Sequence, residues 1–261
     1  MRADEVETVA DRLHRAEREG RPVDPITDEY PRFGMEDAYR VQEAVVRHRT
    51  EEGEVVVGAK LGFTSLAMRR ALGVDEPNHG WLTDAMLLDG GALPWGNLIH
   101  PKVEPEVGFL LGRELAGGGA TVSDVLAATD SVFLCLEVVD SRFREYRFRV
   151  QDNTADNSSA ARVLVGGRAV RPGAVDLATL GVVLWADGKV VATAAGGAVM
   201  GHPARAVAWL ARSLARTERA LAPGTLVLSG GLTAPFDLDP GRTVSAEAGE
   251  LGDVTMSVRR W

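Results

Sequence analysis

The segment HPKVEPEVGFLL, residues 100–111, alternates apolar residues with two glutamates. Val103 and Val107 are apolar, and Glu104 and Glu106 lie between them. In a β-strand, side chains two positions apart lie on the same face, so both carboxylates would share one face about 7 Å apart. The pattern therefore predicts a strand with two neighbouring carboxylates at the point where the chain becomes apolar.

A second segment, SVFLCLEVVD at residues 131–140, contains a single glutamate, Glu137, within an apolar run. Such a run is typical of a strand that is buried on both faces. A lone buried carboxylate costs several kcal/mol or takes up a proton, so Glu137 needs a partner. Two partners are open: a buried arginine such as Arg142 or Arg162, or a hard cation, Mg²⁺ or Mn²⁺, shared with the two glutamates of the first segment.

The order of the predicted elements favours an α+β fold. The predicted elements are helices at 4–19, 35–50, 64–73, 123–130 and 202–218, strands at 55–63, 100–111, 131–140, 224–232 and 252–261, and a hairpin over 180–196 that turns at Asp187 and Gly188. Residues 74–98 are predicted to be irregular, and residues 141–160 to form a polar functional loop. Helices come early and strands later, with one long helix among them, which argues against a regular βαβ alternation.

The composition excludes several classes of protein. The chain has 261 residues, 45% of them hydrophobic, and a formal net charge of −8. It contains no basic stripe with interleaved aromatic residues, so nucleic acid is not an expected partner. The single cysteine, Cys135, excludes a disulfide framework and a cysteine metal site. No apolar run is long enough to span a membrane and no leader pattern is present, so we expect a cytoplasmic protein without a membrane partner.

Lys60 lies between Gly58 and Gly62 in an apolar, β-like stretch. Glycines at these positions allow the close approach of another chain segment or of a ligand. The hydroxyls of Thr64 and Ser65 follow, and they suit a pocket that binds a carboxylate. The alternative is a lysine on an edge strand, where lysine discourages pairing with other chains. In a pocket, burial or a nearby cation is expected to lower the pKa of Lys60.

Six motifs, in order, resemble those of the 2-hydroxypentadienoate hydratases and 4-oxalocrotonate decarboxylases, relatives of fumarylacetoacetate hydrolase. The motifs are GAKLGFTS (58–65), HPKVEPEVGFLL (100–111), LEVVDSR (136–142), TADNSS (154–159), GHPARAVAWLA (201–211) and LSGGLT (228–233). The resemblance implies a fumarylacetoacetase-like fold in one integrated domain. In that fold an N-terminal helical or mixed lobe, residues 1–55, packs on a β-rich catalytic core, residues 56–261, with one long helix.

The same resemblance implies a metal-dependent active site. Its expected components are Mg²⁺ or Mn²⁺ bound by Glu104, Glu106 and Glu137, with Lys60 as an acid/base. The metal would act as a Lewis acid on a small 2-oxo acid substrate. The resemblance also implies a homo-oligomer or a complex with a partner hydratase or decarboxylase.

Two reactions of this family are open. A decarboxylase releases CO₂ from 2-oxohex-3-enedioate (4-oxalocrotonate) through a metal-stabilised dienolate and gives 2-hydroxypenta-2,4-dienoate, whereas a hydratase adds water to the pentadienoate. Hydratases of the family tend to carry an acid in a Pro-Asp-aromatic-Gly segment, which here reads PNHG. Asn78 replaces the acid and cannot act as a base, while His79 either restores a base or is an exposed loop residue. We expect a decarboxylase; a hydratase, a relative recruited to another 2-oxo acid and a non-enzymatic scaffold are the alternatives.

Further polar residues are candidates for binding the substrate. In the segment TADNSSA, Asp156 and Asn157 either cap a helix that begins near Ser158 or lie close to the anionic substrate. Ser229 and Thr233 flank a pair of glycines and are candidates for binding a carboxylate.

Overall fold

The computed structural model describes residues 1–260, with the backbone alone at residues 71 and 72. The α-helices of the described chain are Ala3–Glu19 (α1), Ile26–Glu29 (α2), Met35–Glu51 (α3), Leu66–Leu72 (α4), Val122–Ala128 (α5), Val150–Ala155 (α6) and Pro203–Ala215 (α7). Its strands are Val56–Gly62 (β1), Asn78–Thr83 (β2), Ala92–Pro94 (β3), Lys102–Leu111 (β4), Thr129–Val139 (β5), Ala160–Val165 (β6), Gly181–Ala186 (β7), Lys189–Ala195 (β8), Leu226–Leu228 (β9), Phe236–Asp237 (β10), Thr243–Glu247 (β11) and Asp253–Arg259 (β12).

The N-terminal lobe consists of α1 and α3 packed against each other, with the short α2 beside them. Apolar residues at helical spacing on α1, among them Val6 and Leu13, form its buried face. Gly20 ends α1 because glycine accepts the left-handed backbone found there, φ +62°. Phe143 completes the apolar cluster from outside the lobe. The two long N-terminal helices predicted from the sequence are confirmed, while a division of the chain at residue 55 stays a prediction.

The larger sheet has seven strands in the order β2-β1-β9-β4-β5-β6, with β10 pairing with β4. β4 and β5 are antiparallel neighbours, and Glu104 lies directly opposite Glu137. β1 joins the sheet through β9, so Lys60 lies two strands away from β4. Pro105 is accommodated within β4 although proline has no backbone N–H. Its carbonyl accepts from the Leu232 N–H, and the N–H and C=O of one strand residue face the same side, so the missing donor faces Leu232 and not β5. The fold thus brings two predicted strands and the predicted lysine into one sheet.

The smaller sheet has five strands in the order β3-β12-β11-β7-β8. β7 and β8 form the predicted hairpin, and Asp187 and Gly188 at its turn both have positive φ, 48° and 76°. The main apolar core contains residues from both sheets and from α7, whose buried face includes Val207 and Leu210. Within residues 1–260, no helix is both long and apolar enough to cross a membrane.

Two segments differ from the sequence prediction. Residues 74–98 were expected to be irregular, but they contain β2, in which every residue is buried, and β3. Because both faces of β2 are covered, its sequence NHGWLT lacks the alternation that identifies a half-exposed strand. Residues 141–160, expected to form a polar loop, contain α6 and are buried from Asp152 to Ala160. Their polar side chains are buried because they hydrogen-bond to one another and to the backbone.

Candidate metal centre and active site

Three glutamates meet near the centre of the larger sheet. Glu104 and Glu106 lie on one face of β4, and Glu137 of β5 lies opposite Glu104. One carboxylate oxygen from each residue lies within 4.8 Å of the other two. Glu106 and Glu137 are fully buried, and Glu104 is half-buried. The strand periodicity therefore brings together the three carboxylates that the sequence pattern singles out.

The surroundings of this cluster fit a divalent cation. Within the described part of the chain, Glu106 Oε1 and both carboxylate oxygens of Glu137 accept no hydrogen bond. The Gly230 N–H donates to Glu106 Oε2 at 2.7 Å and so orients that carboxylate. Gly231 leaves room for Glu104, because a Cβ at this position would lie 2.0 Å from Glu104 Oε1. Oxygen ligands without cysteine or histidine are the set that Mg²⁺ and Mn²⁺ prefer.

The electrostatics of the cluster also favour a bound cation. Burial, and next the charge of Glu137, raises the pKa of Glu104 to about 7. The same two causes, in the same order, raise the pKa of Glu106 well above its ordinary value. Desolvation and like charge both favour the protonated carboxyl, so the three groups are unfavourable as three isolated anions. A cation bound among them would compensate these charges.

Lys60 is the cationic neighbour of the cluster. Its side chain is buried, and Nζ lies 3.2 Å from Glu137 Oε2. Nζ also donates a hydrogen bond to the Ser158 carbonyl oxygen at 3.1 Å. β1 runs between β2 and β9, so the alternative interpretation as an edge-strand lysine is wrong.

The pKa of Lys60 is raised, whereas we expected a lowered pKa for a lysine in a pocket. Burial lowers the pKa, but the charges of the glutamates, Glu137 first, outweigh the effect of burial. When no metal ion is bound by the carboxylates, Lys60 is therefore an ammonium ion. A metal ion bound by the same carboxylates would offset their effect on the lysine.

The arginines considered as partners of Glu137 bind elsewhere. Arg142 forms a buried ion pair with Asp156, and Arg162 donates to the Ala161 carbonyl at 2.7 Å. The counter-ion of Glu137 in the described chain is Lys60 instead.

Asp156 and Asn157 hold the chain segment behind Lys60. The Asp156 carboxylate accepts from the backbone N–H of Arg142 at 3.0 Å as well as from its guanidinium. The side chain of Asn157 accepts from the N–H of Trp81 at 2.7 Å and donates to its carbonyl at 2.8 Å. Neither side chain caps a helix or is among the residues lining the cavity described below. The expectation of a helix cap is therefore wrong, and contact of this pair with a substrate stays a prediction.

This segment has an unusual backbone. Asn157, Ser158 and Ser159 have φ values of 50°, 53° and 56°, in the left-handed region. Such a conformation costs non-glycine residues about 1–2 kcal/mol each, so surrounding contacts must maintain it. The resulting turn directs both the carbonyl and the hydroxyl of Ser158 at Lys60 Nζ.

Asn78 and His79 lie on opposite faces of β2. Asn78 is buried on the side of the active site, where its Oδ1 accepts from the Ser158 hydroxyl at 3.0 Å. His79 stacks on Tyr39 with 4.8 Å between ring centroids. Burial, and next the charge of Arg219, lowers the pKa of His79 to about 4. The interpretation of His79 as an exposed loop residue is wrong, and its side chain is directed away from the cavity.

A cavity of about 270 Å³ opens beside Lys60 and Glu104. Its other lining residues are Gly62, Phe63, Met68, Lys102, Val139, Tyr146, Phe148, Asn153, Ser158, Ser159 and Pro235. Most of these residues have no pattern in the sequence that marks them as lining a site. The period of two along β4 could have identified Lys102, because it shares a face with Glu104. The aromatic rings of Tyr146 and Phe148 come from an irregular segment that carries no periodic signal.

Four predicted substrate residues are not among the residues that line this cavity. Thr64 is buried against Gly230, and the Ser65 hydroxyl caps α4. The buried hydroxyl of Ser229 has no hydrogen-bond partner among the described residues. Thr233 donates to the carbonyl of the next residue at 3.1 Å. Contact of these four residues with a substrate stays a prediction.

Comparisons with known proteins place this chain in a family. A family model described as fumarylacetoacetate (FAA) hydrolase C-terminal matches residues 82–259. A 4-oxalocrotonate decarboxylase from Pseudomonas putida is 37% identical over 98% of this chain and 97% of the relative. A 2-hydroxyhexa-2,4-dienoate hydratase from Comamonas testosteroni is 39% identical, over 96% and 93%. The structure of 4-oxalocrotonate decarboxylase from Pseudomonas putida G7, complexed with magnesium and adipate, matches with a TM-score of 0.96 and 36% identity over 99% of this chain and 98% of that one. The chain therefore belongs to the fumarylacetoacetate hydrolase family.

Proposed function

We propose that this protein is a metal-dependent lyase that decarboxylates 2-oxohex-3-enedioate to 2-hydroxypenta-2,4-dienoate. The observation that carries the proposal is the convergence of three carboxylates and a buried lysine beside one cavity. The similarity to 4-oxalocrotonate decarboxylases over nearly the whole chain supports the substrate class. The adipate named in the solved relative is a six-carbon dicarboxylate, like the proposed substrate.

The three glutamates would hold Mg²⁺ or Mn²⁺. The cation, when bound, supplies a Lewis acid for the carboxylate and C2 oxygen of a 2-oxo acid. Lys60 lies next to the same carboxylates and is the candidate for moving a proton to or from the substrate. Its contact with the Ser158 carbonyl fixes the ammonium group, so the position of the proton is defined.

The rest of the cavity suits the loss of a carboxylate. Phe63, Met68, Val139, Phe148 and Pro235 give it a largely apolar wall. An apolar wall suits the release of neutral CO₂, because the C6 carbon loses its charge as the C5–C6 bond breaks.

The surroundings of Asn78 favour a decarboxylase over a hydratase. Its Nδ2 donates to Asn153 Oδ1 and Thr154 Oγ1, both at 2.9 Å, and its Oδ1 accepts from Ser158. This side chain is fully engaged and behind the cavity, so it neither contacts water there nor removes a proton from it. His79, the other candidate base, is on the far face of β2. Decarboxylation needs no activated water, so it fits a site without that base.

The test is incubation of the purified, Mg²⁺-loaded protein with each candidate substrate. We expect CO₂ release from 2-oxohex-3-enedioate together with the absorbance of the dienol product. Hydration of 2-hydroxypentadienoate without CO₂ release from the diacid would establish the second candidate, which the similarity to a hydratase at 39% identity supports. Activity on neither substrate, with metal bound, would indicate a different 2-oxo acid.

The assembly state is also a proposal. We propose that the chain forms a homo-oligomer or associates with a hydratase of the same family, and that it works in the cytoplasm. Light scattering coupled to size-exclusion chromatography tests the first statement, and a single 27.9 kDa species would contradict it.

A further inference from the structure

We infer that Lys102 binds the distal carboxylate of the substrate and thereby selects 2-oxo dicarboxylic acids over 2-oxo monocarboxylic acids. The inference rests on the proposed function, because it takes the 2-oxo end of the substrate to be anchored at the glutamate cluster.

Lys102 is placed at the right distance along β4. It precedes Glu104 by two residues, so both side chains lie on one face with their Cα atoms about 7 Å apart. Val139 lies directly opposite Lys102 on β5, just as Glu137 lies opposite Glu104. Lys102 and Val139 both line the cavity, which therefore runs along this face away from the carboxylates.

The length of the substrate matches this direction. A six-carbon chain has five carbon–carbon bonds of about 1.5 Å, which span roughly 6 Å when the chain is extended. With its 2-oxo end at the glutamates, its distal carboxylate reaches the part of the cavity lined by Lys102.

The ammonium group of Lys102 is held at the cavity wall by two weak contacts. Nζ lies 2.6 Å from Asp237 Oδ1, and it lies 4.9 Å above the centroid of the Tyr146 ring. The Asp237 side chain is 77% exposed, so this ion pair is screened by solvent and yields readily to another anion. An ammonium group has three N–H donors, so one remains for a substrate carboxylate even while the pair with Asp237 persists.

Lys60 is also a cation in the cavity lining, but it lies at the glutamate end, where the proposed function places the 2-oxo group. Its ammonium group contacts Glu137 and the Ser158 carbonyl. Of the residues that line the described cavity, Lys60 and Lys102 are the cationic ones. Lys102 is therefore the cation of this lining that is available for a second negative charge.

The decarboxylation step gives this contact a kinetic signature. The C5–C6 bond breaks, its electron pair moves through C4 and C3 toward the C2 oxygen, and C6 leaves as neutral CO₂. The distal carboxylate exists in the bound substrate and loses its charge as the bond breaks. Lys102 therefore stabilises the ground state more than the transition state, so its removal should raise KM without lowering kcat.

The experiment compares two ligands that share the 2-oxo acid end and lack the C3–C4 double bond, 2-oxoadipate and 2-oxohexanoate. Calorimetry with the Mg²⁺-loaded protein should give a preference for 2-oxoadipate of about tenfold, as expected for one charge-assisted hydrogen bond. Lys102→Met should abolish that preference. Lys189→Met, a lysine on the exposed β7–β8 hairpin, is the matched control and should keep it.

A second variant tests the contact without removing the lysine. Asp237→Asn keeps the side-chain shape but removes the competing charge, so it should strengthen binding of 2-oxoadipate about threefold and leave 2-oxohexanoate unchanged. Equal affinity of the wild type for the two ligands, or an unchanged preference in a folded Lys102→Met variant, would overturn the inference. A lysine-dependent preference in a protein without decarboxylase activity would retain it and would refute only the proposed reaction.

Discussion

Replacement of Gly231 by alanine should displace Glu104 from the proposed metal site without replacing any of the three glutamates. A Cβ at residue 231 would lie 2.0 Å from Glu104 Oε1 and 2.6 Å from its Cδ, whereas ordinary contact begins near 3.4 Å. The obstacle is the end of a flexible side chain, so the carboxylate would move by about 1.4 Å while the backbone stays in place. Gly231 does not have the left-handed φ of its neighbour Gly230, so alanine adds no backbone strain.

A displacement of this size should be costly for metal binding and catalysis. Misplacing a reacting or coordinating group by about 1 Å costs about 100-fold, and disturbing the groups that orient metal ligands costs about 10- to 100-fold in affinity. We expect the Mg²⁺ dissociation constant of Gly231→Ala to rise about 100-fold, which corresponds to about 2.7 kcal/mol.

The assay is calorimetric titration of the metal-free protein with Mg²⁺, together with its melting temperature. Gly167→Ala is the control, because a Cβ at that position has nothing within 4 Å. Both variants should melt like the wild type without metal, and Gly167→Ala should keep the wild-type affinity. A folded Gly231→Ala variant that binds Mg²⁺ as tightly as the wild type would show that Glu104 is not a ligand.

Three further perturbations address single groups. Glu106→Gln should abolish metal-dependent turnover and leave the fold intact, because glutamine still accepts from the Gly230 N–H; metal content and melting temperature check this, and a fully active variant would contradict the assigned ligand set. Lys60→Met should retain bound Mn²⁺, measured by electron paramagnetic resonance, and lose turnover; wild-type turnover would exclude Lys60 as the proton carrier. His79→Phe should lose less stability in mild acid than the wild type does. The pKa of His79 is about 4 in the folded protein and about 6.5 in the unfolded chain, so protonation of the unfolded chain lowers the free energy of unfolding of the wild type by about 2 kcal/mol between pH 8 and pH 5. Urea unfolding of both proteins at these two pH values measures the difference, and equal pH dependence would refute the explanation.

The residues that periodicity could predict are those on the two central strands. Glu104, Glu106 and Glu137 converge because the period of two fixes which face of β4 and β5 each side chain occupies. The counter-ion of Glu137 could not be predicted in this way. Lys60 reaches it only because β1 joins β4 through β9, a pairing between distant parts of the chain that no local pattern encodes.

Buried polar segments could not be predicted from the sequence pattern either. β2 and the segment from Asp152 to Ala160 are polar in composition, yet they are buried because their polar groups satisfy one another. The place of His79 illustrates the result: a short polar stretch suggested an exposed loop, whereas the structure has a strand covered on both faces. The helices and the hairpin were predictable because their spacing and turn residues act locally.

The three glutamates proposed as metal ligands and Lys60 belong to different parts of the chain. The region matched by the family model begins at residue 82, so it contains the three glutamates but not Lys60. Lys60 donates to the Ser158 carbonyl, and the segment 152–159 that contains Ser158 is in turn bound to the N-terminal lobe. There Thr27 donates to the Asp152 carboxylate through its backbone N–H at 2.9 Å and its hydroxyl at 2.7 Å. Substitutions in the first third of the chain can therefore replace or move Lys60 without replacing any of the three glutamates. The amine and the three carboxylates of the proposed site are thus supplied by separate parts of the chain, and each can be varied independently of the other.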